Sequence, residues 1–535
     1  MKRHDGKDYK INKVVIGISA VIFGSIFVLG IVNPLIFTSL LSSIVNFLCD
    51  QLGWFLNLAV IFSIGMSLFF LFSKYGKTKI GGKDAKPEFS KFTWWAISLC
   101  AGMGMGIVFW PPAEIIEYSF NPAVGSNLKA GGFEALSRAF EFTYLHWTLT
   151  LYGVYVAAGL VAAYVYYNLK QPYSIASTLY PLFGKKVYRY RNLIDGIVTF
   201  AIIGGVAGSF GYGILQVSDG LHQLFGLPTG AMMWILIAII VTIVYTLSSV
   251  TGLKKGIQWL GDNNAKLFIG MLAFVIIFGP TKFSMNLGVE TTGNMFTNLF
   301  KNLTFSEPFQ SAEKWSVWWN WLWYLDFFVF APTTGLFLAR LSKGRTMREF
   351  VTVNMVAPCL FGWLWVVIFG GLAAHAQYVQ NIDLYGLIQK SGYEAVMLSL
   401  FDQLPMPTIS KLIMMVVILI SFITLANAVT STISKMSIKL GPNYLEDDAP
   451  ASVQIFWGIF IGAIAIIFLL NGGLDGAKTV KMLVGFPIVI LQVLAGIGFV
   501  KMFAKGEYKE KKVIEDDVLE KEMIEENIIG EIQLD

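Results

Sequence analysis

Twelve apolar stretches restrict the folds open to this chain more than any other feature of the sequence. A transmembrane α-helix needs about 20 mostly apolar residues, and each stretch comes close to that length or exceeds it. The stretches lie at 14–40, 52–73, 92–118, 143–167, 192–217, 231–249, 264–281, 316–339, 350–374, 411–434, 452–470 and 480–503. The sequence therefore predicts an all-α integral membrane protein with twelve transmembrane helices.

Composition supports this class of protein. Only 14% of the 535 residues are charged and the mean hydropathy is +0.62, whereas soluble globular domains are about 25% charged. The first apolar stretch is too long for a signal-peptide core, so we read it as a retained span. The lipid bilayer is then the protein's first partner, and a net charge of +5 gives no reason to expect a nucleic-acid partner.

The basic residues lie in alternate loops. Lys74, Lys77, Lys79, Lys83, Lys86 and Lys91 fill the second loop; Lys185, Lys186, Arg189 and Arg191 the fourth; Lys254 and Lys255 the sixth; and Arg340, Lys343, Arg345 and Arg348 the eighth. Cytoplasmic loops carry such an excess of lysine and arginine. The pattern predicts a multi-pass protein of the plasma (inner) membrane with both termini in the cytoplasm.

The third stretch, Trp94 to Tyr118, is interrupted by residues that weaken helices. It carries glycines at 102, 104 and 106, prolines at 111 and 112, and glutamates at 114 and 117. An interior glycine costs a helix about 1 kcal/mol and a proline about 3. Broken helices in secondary transporters bind substrate through the freed backbone. We therefore predict unwound backbone within Gly102–Gly106, with Met103 and Gly104 at the substrate. The alternative is a kinked helix that packs closely through its glycines.

No pattern of a catalytic, metal or nucleotide site is present. The sequence lacks a P-loop, a metal-spaced His/Cys cluster and a nucleophile elbow, and its three cysteines lie far apart. His146 and His375 fall near spans, but neither has a plausible partner by spacing. We expect neither an enzyme nor a protein with a cofactor or bound metal, and an ATP-driven pump only if another subunit supplies the motor.

Aromatic residues are grouped in two places. Trp147, Tyr152 and Tyr155 fall within about two turns of the fourth span, and the eighth span begins WSVWWNWLWYLDFFVF at position 315. Aromatic faces attract ammonium groups by about 0.5–2 kcal/mol each. Interfacial belts also collect tryptophan, and this explanation is favoured for Trp315, Trp318 and Trp319. Deeper in the eighth span lies Asp326, and a carboxylate at such depth is functional by default.

The sequence resembles the betaine/carnitine/choline transporter (BCCT) family. The segments that carry the resemblance are AGMGMG at 101–106 with Glu114, HW at 146–147, LIDGI at 193–197, KGIQWL at 255–260 and GLFLARLSKGRTMREF at 335–350. The last of these is the most specific.

The resemblance implies a fold and an organisation. Family membership implies a homotrimer of twelve-helix subunits with an inverted five-helix repeat in spans 3–12, the fold of amino-acid/sodium symporters. Residues 1–91 would hold the cytoplasmic N-terminus and two peripheral helices, and 92–281 the first repeat. Residues 282–505 would hold the second repeat, and 506–535 a charged cytoplasmic tail.

The resemblance also assigns a substrate site. The aromatic box of the family falls on Trp147, Tyr152 and Tyr155 of the fourth span and on Asp326, Phe327 and Phe330 of the eighth, where the family usually has tryptophan or tyrosine. Glu117 takes a place that is aromatic in carnitine-exchanging members. The departures favour a substrate with more positive charge, or a primary amine. They also raise the hypothesis that the ligand's positive group pairs with Asp326, with Glu117 nearby.

The sodium ligands of the family are largely missing. Of the fifth-span threonines only a hydroxyl at Ser209 remains, and Asn427-Ala428 replaces Thr-Ser on the tenth span. A hard cation requires several oxygen ligands, so exchange, uniport and proton coupling through Asp326 or Glu117 all stay open.

The sequence thus predicts a secondary transporter that moves a small quaternary-ammonium compound by alternating access. One alternative is a carrier for a cationic or other amino acid or amine. The other is a membrane sensor that binds such a compound without moving it.

Overall fold

The structure, a computed structural model, describes residues 10–103, 106–124, 126–250, 253–310, 314–439 and 449–507. The α-helices are α1 Lys13–Val32, α2 Pro34–Phe72, α3 Lys91–Met103, α4 Gly106–Phe120, α5 Phe133–Tyr144, α6 Leu151–Tyr167, α7 Tyr180–Phe183, α8 Arg191–Phe225, α9 Ala231–Val250, α10 Leu253–Phe278, α11 Thr281–Thr297, α12 Leu299–Leu303, α13 Leu322–Leu341, α14 Met347–Val351, α15 Ala357–Trp365, α16 Gly371–Tyr378, α17 Leu384–Ser391, α18 Glu394–Ser399, α19 Pro407–Met436 and α20 Ala451–Ala504.

Shorter elements join these helices. π-Helical segments run over Leu145–Thr150, Val317–Trp321, Thr352–Val356 and Val366–Gly370, and 3₁₀ segments over Lys74–Lys77, Ile175–Leu179, Gly184–Tyr190 and Leu400–Gln403. Strands β1 Lys10–Ile11 and β2 Ile438–Lys439 form one antiparallel pair. The charged tail predicted over 506–535 is described only for Gly506 and Glu507, and its remainder lies outside the described residues.

Ten segments of the described chain are long and apolar enough to cross a membrane. They are Ser39–Phe72, Phe133–Tyr167, Ile175–Phe225, Ala231–Val250, Gly261–Phe278, Val317–Leu341, Met347–Tyr378, Pro407–Met436, Ala451–Leu470 and Lys478–Ala504. They match the second span and the fourth to twelfth spans, which confirms the all-α membrane class. The first span is the shorter apolar helix Lys13–Ser25, and the third is divided between α3 and α4, so the count of twelve stays a prediction.

In the third span, α3 and α4 lie on the two sides of residues 104 and 105. α3 ends at Met103 and α4 begins at Gly106. Gly104, Met105 and the side chain of Met103 lie outside the described residues, so unwound backbone there remains a prediction. A Cβ on Gly106 would collide with the indole of Trp147. Close packing through a glycine is therefore present at this position.

The last two spans belong to one helical element, α20, which is sharply bent. A Cβ on Gly476 would lie 3.6 Å from the carbonyl oxygen of Phe468, eight residues earlier. A straight helix would separate residues eight apart by about 12 Å. The chain therefore bends sharply between Leu470 and Lys478, and the second arm packs against α8 and α13 in the interior.

The segment GLFLARLSKGRTMREF at 335–350 connects the eighth loop to the second loop through contacts that we call the clasp. Arg345 donates to the carbonyl of Phe89 at 2.6 Å, and its guanidinium lies 4.9 Å from the ring centre of Trp94. Arg348 donates to the carbonyls of Leu71 and Ser73 at 2.8 and 2.9 Å. These contacts tie α14 to the end of α2. The motif is thus explained by loop packing.

We predict that Arg345→Ala lowers stability without changing substrate recognition. Hydrogen bonds to a charged donor contribute about 1.5–3 kcal/mol each, so the melting temperature in detergent should fall by several degrees. The exposed Lys301→Ala is the control for loss of one positive charge. A changed KM for uptake with native thermal stability would show that the clasp acts on substrate.

Candidate functional site

Four buried aromatic side chains meet between α6 and α13, and we call them the inner cluster: Trp147, Tyr155, Trp323 and Phe327. The Trp147 and Trp323 ring centres lie 4.8 Å apart, and Phe327 lies 6.2 Å from each of them. Tyr155 lies 6.4 Å from Phe327. Trp147 and Trp323 are in direct edge-to-face contact. A ligand can therefore enter between the two rings only if they move apart.

Trp147 is held in place by a buried polar chain. Its Nε1 donates to Glu114 Oε2 at 2.9 Å, and the carboxylate of Glu114 is fully buried. His146 Nδ1 lies 3.9 Å from the same oxygen, and His146 Nε2 lies 2.8 Å from Asn320 Oδ1. The π-helical turn Leu145–Thr150 contains both His146 and Trp147. His146 therefore has a hydrogen-bond partner on the eighth span and lies near a carboxylate of the third, which spacing along the sequence did not reveal.

Asp326 is paired within the protein. Its Oδ1 lies 2.6 Å from Lys481 Nζ, and the side chains are 11% and 1% exposed. Lys481 lies on the second arm of α20. The protein itself thus supplies the positive group that the hypothesis had assigned to the ligand. The argument for a more cationic substrate rested on an uncompensated carboxylate and no longer holds.

The ammonium of Lys481 has further partners. Its Nζ donates to Ser209 Oγ at 3.0 Å and lies 4.5 Å from the ring centre of Tyr212 and 5.6 Å from that of Phe330. The predicted ion ligand Ser209 therefore accepts a hydrogen bond from a resident cation. The other predicted ligand, Asn427, donates to Ser248 at 3.1 Å, so the two candidates serve different partners.

A second lysine, one turn earlier on α20, occupies an aromatic cage that we call the outer cage. Lys478 Nζ lies 5.5, 5.1 and 5.0 Å from the ring centres of Trp110, Trp319 and Tyr393. Trp319 is buried within the protein, as is Trp315. The expectation that both belong to an interfacial belt is therefore wrong: their rings pack against Tyr118 of α4, which covers them.

Two carboxylates accompany the outer cage. Glu117 accepts a hydrogen bond from Asn121 at 3.2 Å and interacts electrostatically with Lys478. Lys478 also acts on Glu394, at the start of α18, where burial raises the pKa of the carboxyl to about 7. We expected Glu117 to lie near Asp326. Instead, Asp326 pairs with Lys481, and Glu117 interacts with Lys478.

The structure unites part of the predicted set. Trp147, Tyr155 and Phe327 meet, and Asp326, Phe330 and Ser209 gather around Lys481. Tyr152 is buried, and its hydroxyl has no hydrogen-bond partner among the described residues. Sequence reasoning missed Trp110, Glu114, Trp323, Lys478 and Lys481 as members of the site. Lys481 had a usable signal, since it is a charge inside a predicted span.

The chain is similar to known transporters over nearly its whole length. The model of the betaine/carnitine/choline family transporters (BCCT) matches residues 14–508. Glycine betaine transporter OpuD of Bacillus subtilis is 32% identical over 88% of this chain and 90% of its own. The ectoine/hydroxyectoine transporter of Virgibacillus pantothenticus is 30% identical, covering 94% and 98%. The high-affinity choline transport protein of Escherichia coli K12 is 28% identical, covering 92% and 72%.

A helical membrane protein with a buried aromatic and charged centre fits a carrier for small solutes. The match over nearly the whole length makes the assignment definite: the chain belongs to the betaine/carnitine/choline transporter family. It is a transporter and not an enzyme.

We predict that the Asp326–Lys481 pair stabilises the fold as a unit. Removing one partner of a buried ion pair costs about 3–5 kcal/mol, whereas replacing both partners by neutral groups is often tolerated. Asp326→Asn and Lys481→Met should each reduce the yield of folded protein, measured by size-exclusion chromatography in detergent.

The double variant Asp326→Asn/Lys481→Met is the decisive control. It should recover most of the folded yield, because no unpaired charge then remains in the interior. Equal losses in the double variant and the single variants would show that the two residues act independently.

Proposed function

We propose that the protein is a secondary transporter of the plasma membrane that moves a small quaternary-ammonium compound by alternating access. The observation that carries this proposal is the inner cluster, four buried aromatic rings between two spans of a family transporter. A quaternary ammonium has no N–H to donate, so aromatic faces suit it better than hydrogen-bond acceptors do. Positive-inside loops support cytoplasmic termini.

The charge balance of the site favours a substrate of the betaine or choline class. Lys481 Nζ lies 2.6 Å from Asp326 Oδ1 and neutralises its charge. This pair therefore leaves no uncompensated carboxylate for a substrate to bind. A zwitterion such as a betaine is therefore compatible with the site. The relatives described above are transporters of glycine betaine, ectoine and choline, which supports the same range of compounds.

The first alternative is a carrier for a cationic or other amino acid or amine. A primary ammonium requires acceptors for its N–H groups, and Asp326 was the candidate acceptor. Because Lys481 already pairs with that carboxylate, the site is better suited to a quaternary ammonium than to a primary one. The second alternative, a sensor that binds without transport, predicts binding without uptake.

The organisation of the chain is part of the proposal. We propose repeats over 92–281 and 282–505 and a trimer of such subunits, with 1–91 and 506–535 outside the repeats. The first repeat contributes Trp147 and Glu114 to the site, and the second contributes Trp323, Asp326 and Lys481. A site shared by both halves is what two repeats that move against each other require.

Transport is proposed to be independent of sodium. Lys481 places a fixed positive charge between Asp326 and Ser209, where an oxygen-ligated cation would otherwise have to be held. The ammonium of Lys481 supplies the positive charge that a bound sodium ion would otherwise supply, and it stays in the protein throughout transport. The gradient that drives net flux is then the substrate's own, by exchange or uniport.

Uptake into proteoliposomes tests the function. Labelled choline, glycine betaine, carnitine, butyrobetaine and arginine should be offered separately to vesicles with and without internal substrate. We expect saturable uptake of at least one quaternary-ammonium compound and none of arginine. Binding without uptake would support the sensor, and uptake of arginine alone would support the amino-acid carrier.

We predict that Trp147→Leu weakens binding of the transported ammonium compound by about tenfold. The change removes one aromatic face, worth about 1–2 kcal/mol at a desolvated site, and leaves an apolar side chain in its place. Isothermal titration of the purified protein gives the affinity. Phe300→Leu, at an exposed aromatic residue of α12, is the matched control, and native affinity in Trp147→Leu would count against the inner cluster as the binding site.

We predict equal initial uptake with sodium or potassium outside. The comparison should use vesicles loaded with unlabelled substrate, so that exchange is possible in both salts. A strong requirement for sodium would show that Lys481 does not replace a transported cation. Lithium at the same ionic strength separates a specific sodium effect from a general effect of salt.

A further inference from the structure

Two π-helical turns, Leu145–Thr150 of the fourth span and Val317–Trp321 of the eighth, are joined by one buried hydrogen bond. His146 Nε2 lies 2.8 Å from Asn320 Oδ1, and both side chains are fully buried. An amide oxygen can only accept, so the imidazole is the donor. Because π-helical turns are rare and are frequent at functional sites, a hydrogen bond between two of them is a candidate for a functional contact.

Each of these two side chains depends on the other. His146 Nδ1 and Asn320 Nδ2 have no hydrogen-bond partner among the described residues, so their mutual bond is the one hydrogen bond that either side chain makes there. Removing one partner leaves a buried polar atom unpaired, whereas replacing both partners by apolar groups of the same shape can be nearly neutral for stability. The pair can therefore be removed as a unit without loss of the fold.

The hydrogen bond lies about one helical turn from the tightest contact of the inner cluster. His146 precedes Trp147 in the chain, and Asn320 lies three residues before Trp323, on the neighbouring turn of the same helix face. The ring centres of Trp147 and Trp323 are 4.8 Å apart. The bond therefore fixes the separation of the fourth and eighth spans close to the level of these two rings.

Both indoles are held by hydrogen bonds of their own. Trp147 Nε1 donates to Glu114 Oε2 at 2.9 Å, and Trp323 Nε1 donates to the hydroxyl of Tyr118 at 3.4 Å. A cation between two aromatic faces lies within about 6 Å of each ring centre, so the centres of two such rings stand up to about 12 Å apart instead of 4.8 Å. Turning either indole in place would break its own hydrogen bond. A ligand that enters between the rings therefore requires the fourth and eighth spans to separate.

We propose that the hydrogen bond between His146 and Asn320 is a latch that keeps the inner cluster closed, so that these two positioning residues set how readily an ammonium compound enters between Trp147 and Trp323. This inference rests on the proposed function. A hydrogen bond of this kind requires a donor–acceptor distance of about 2.7–3.2 Å, so the separation of the spans that admits a ligand breaks the latch. The ligand then binds only the fraction of protein in which the latch is open, and its apparent affinity is reduced by that fraction.

Isothermal titration of the purified full-length protein with tetramethylammonium tests the latch. The double variant His146→Phe/Asn320→Leu removes the hydrogen bond, leaves no unpaired polar atom at either position and keeps side chains of similar shape. It should bind tetramethylammonium about fivefold more tightly than the native protein does, because loss of one net hydrogen bond raises the open fraction by about that factor. A merely structural contact predicts equal or weaker binding instead.

Two further variants serve as controls. His146→Gln keeps an N–H donor within reach of the Asn320 amide oxygen and should bind as the native protein does. Ser421→Ala removes another buried hydrogen bond between spans, from Asn264 Nδ2 to Ser421 Oγ at 2.9 Å, and should also leave the affinity unchanged. Native or weaker affinity in the double variant would overturn the latch, while absence of binding to the native protein would instead contradict the proposed function.

Binding rates separate a latch from a general loosening of the site. The open fraction is larger without the latch, so tetramethylammonium should associate with the double variant about fivefold faster than with the native protein. Dissociation should keep its native rate, because the latch is already broken in the bound state. Stopped-flow tryptophan fluorescence measures both rates. Unchanged association together with altered dissociation would overturn the proposal.

A measurement without ligand tests the latch independently of the proposed function. Asn320→Leu breaks the hydrogen bond but keeps His146, so diethyl pyrocarbonate should modify this imidazole at least fivefold faster than in the native protein, as read by mass spectrometry. The exposed His222 is the internal reference. Asn320→Asp, which keeps an acceptor oxygen, should protect His146 as the native residue does. Equal rates of modification of His146 in Asn320→Leu and the native protein would overturn the latch.

Discussion

The need to compensate carboxylates inside a low-dielectric interior shapes the centre of this protein. An isolated charge at membrane depth costs at least about 2.5 kcal/mol even by insertion scales, and a buried pair is stable only with good geometry and further hydrogen bonds. Lys481 meets both conditions, at 2.6 Å from Asp326 and 3.0 Å from Ser209. Because these groups lie on three different helices, the pair fixes α20, α13 and α8 relative to one another.

The same helix face serves two positions along the site. Lys478 and Lys481 are three residues apart, so they lie on neighbouring turns of one face of α20. One ammonium is neutralised by a buried aspartate, and the other is surrounded by aromatic rings with two carboxylates nearby. The first is an ion pair of the structure. The second is a cation–π arrangement with the rings of Trp110, Trp319 and Tyr393.

Aromatic and polar contacts act together in placing the inner cluster. Trp147 is oriented by its hydrogen bond to Glu114 and limited on its other side by Gly106. A larger residue at 106 would occupy the space of the indole. The last glycine of the glycine-rich stretch therefore controls the position of a ring on another span, which links this stretch directly to the proposed ammonium site.

The sequence by itself determined the membrane class, the boundaries of most spans, the family and three of the four aromatic residues that meet in the inner cluster. These follow from local properties: apolar length, loop charge and motif spacing. It did not reveal that Asp326 is compensated, that His146 has partners, or that Trp315 and Trp319 are buried. Each of these depends on a residue more than 30 positions away, such as Lys481, Asn320 or Tyr118. Only tertiary packing brings such groups within hydrogen-bonding or ring-contact distance, so only the structure decided which charges and faces remain available to a substrate.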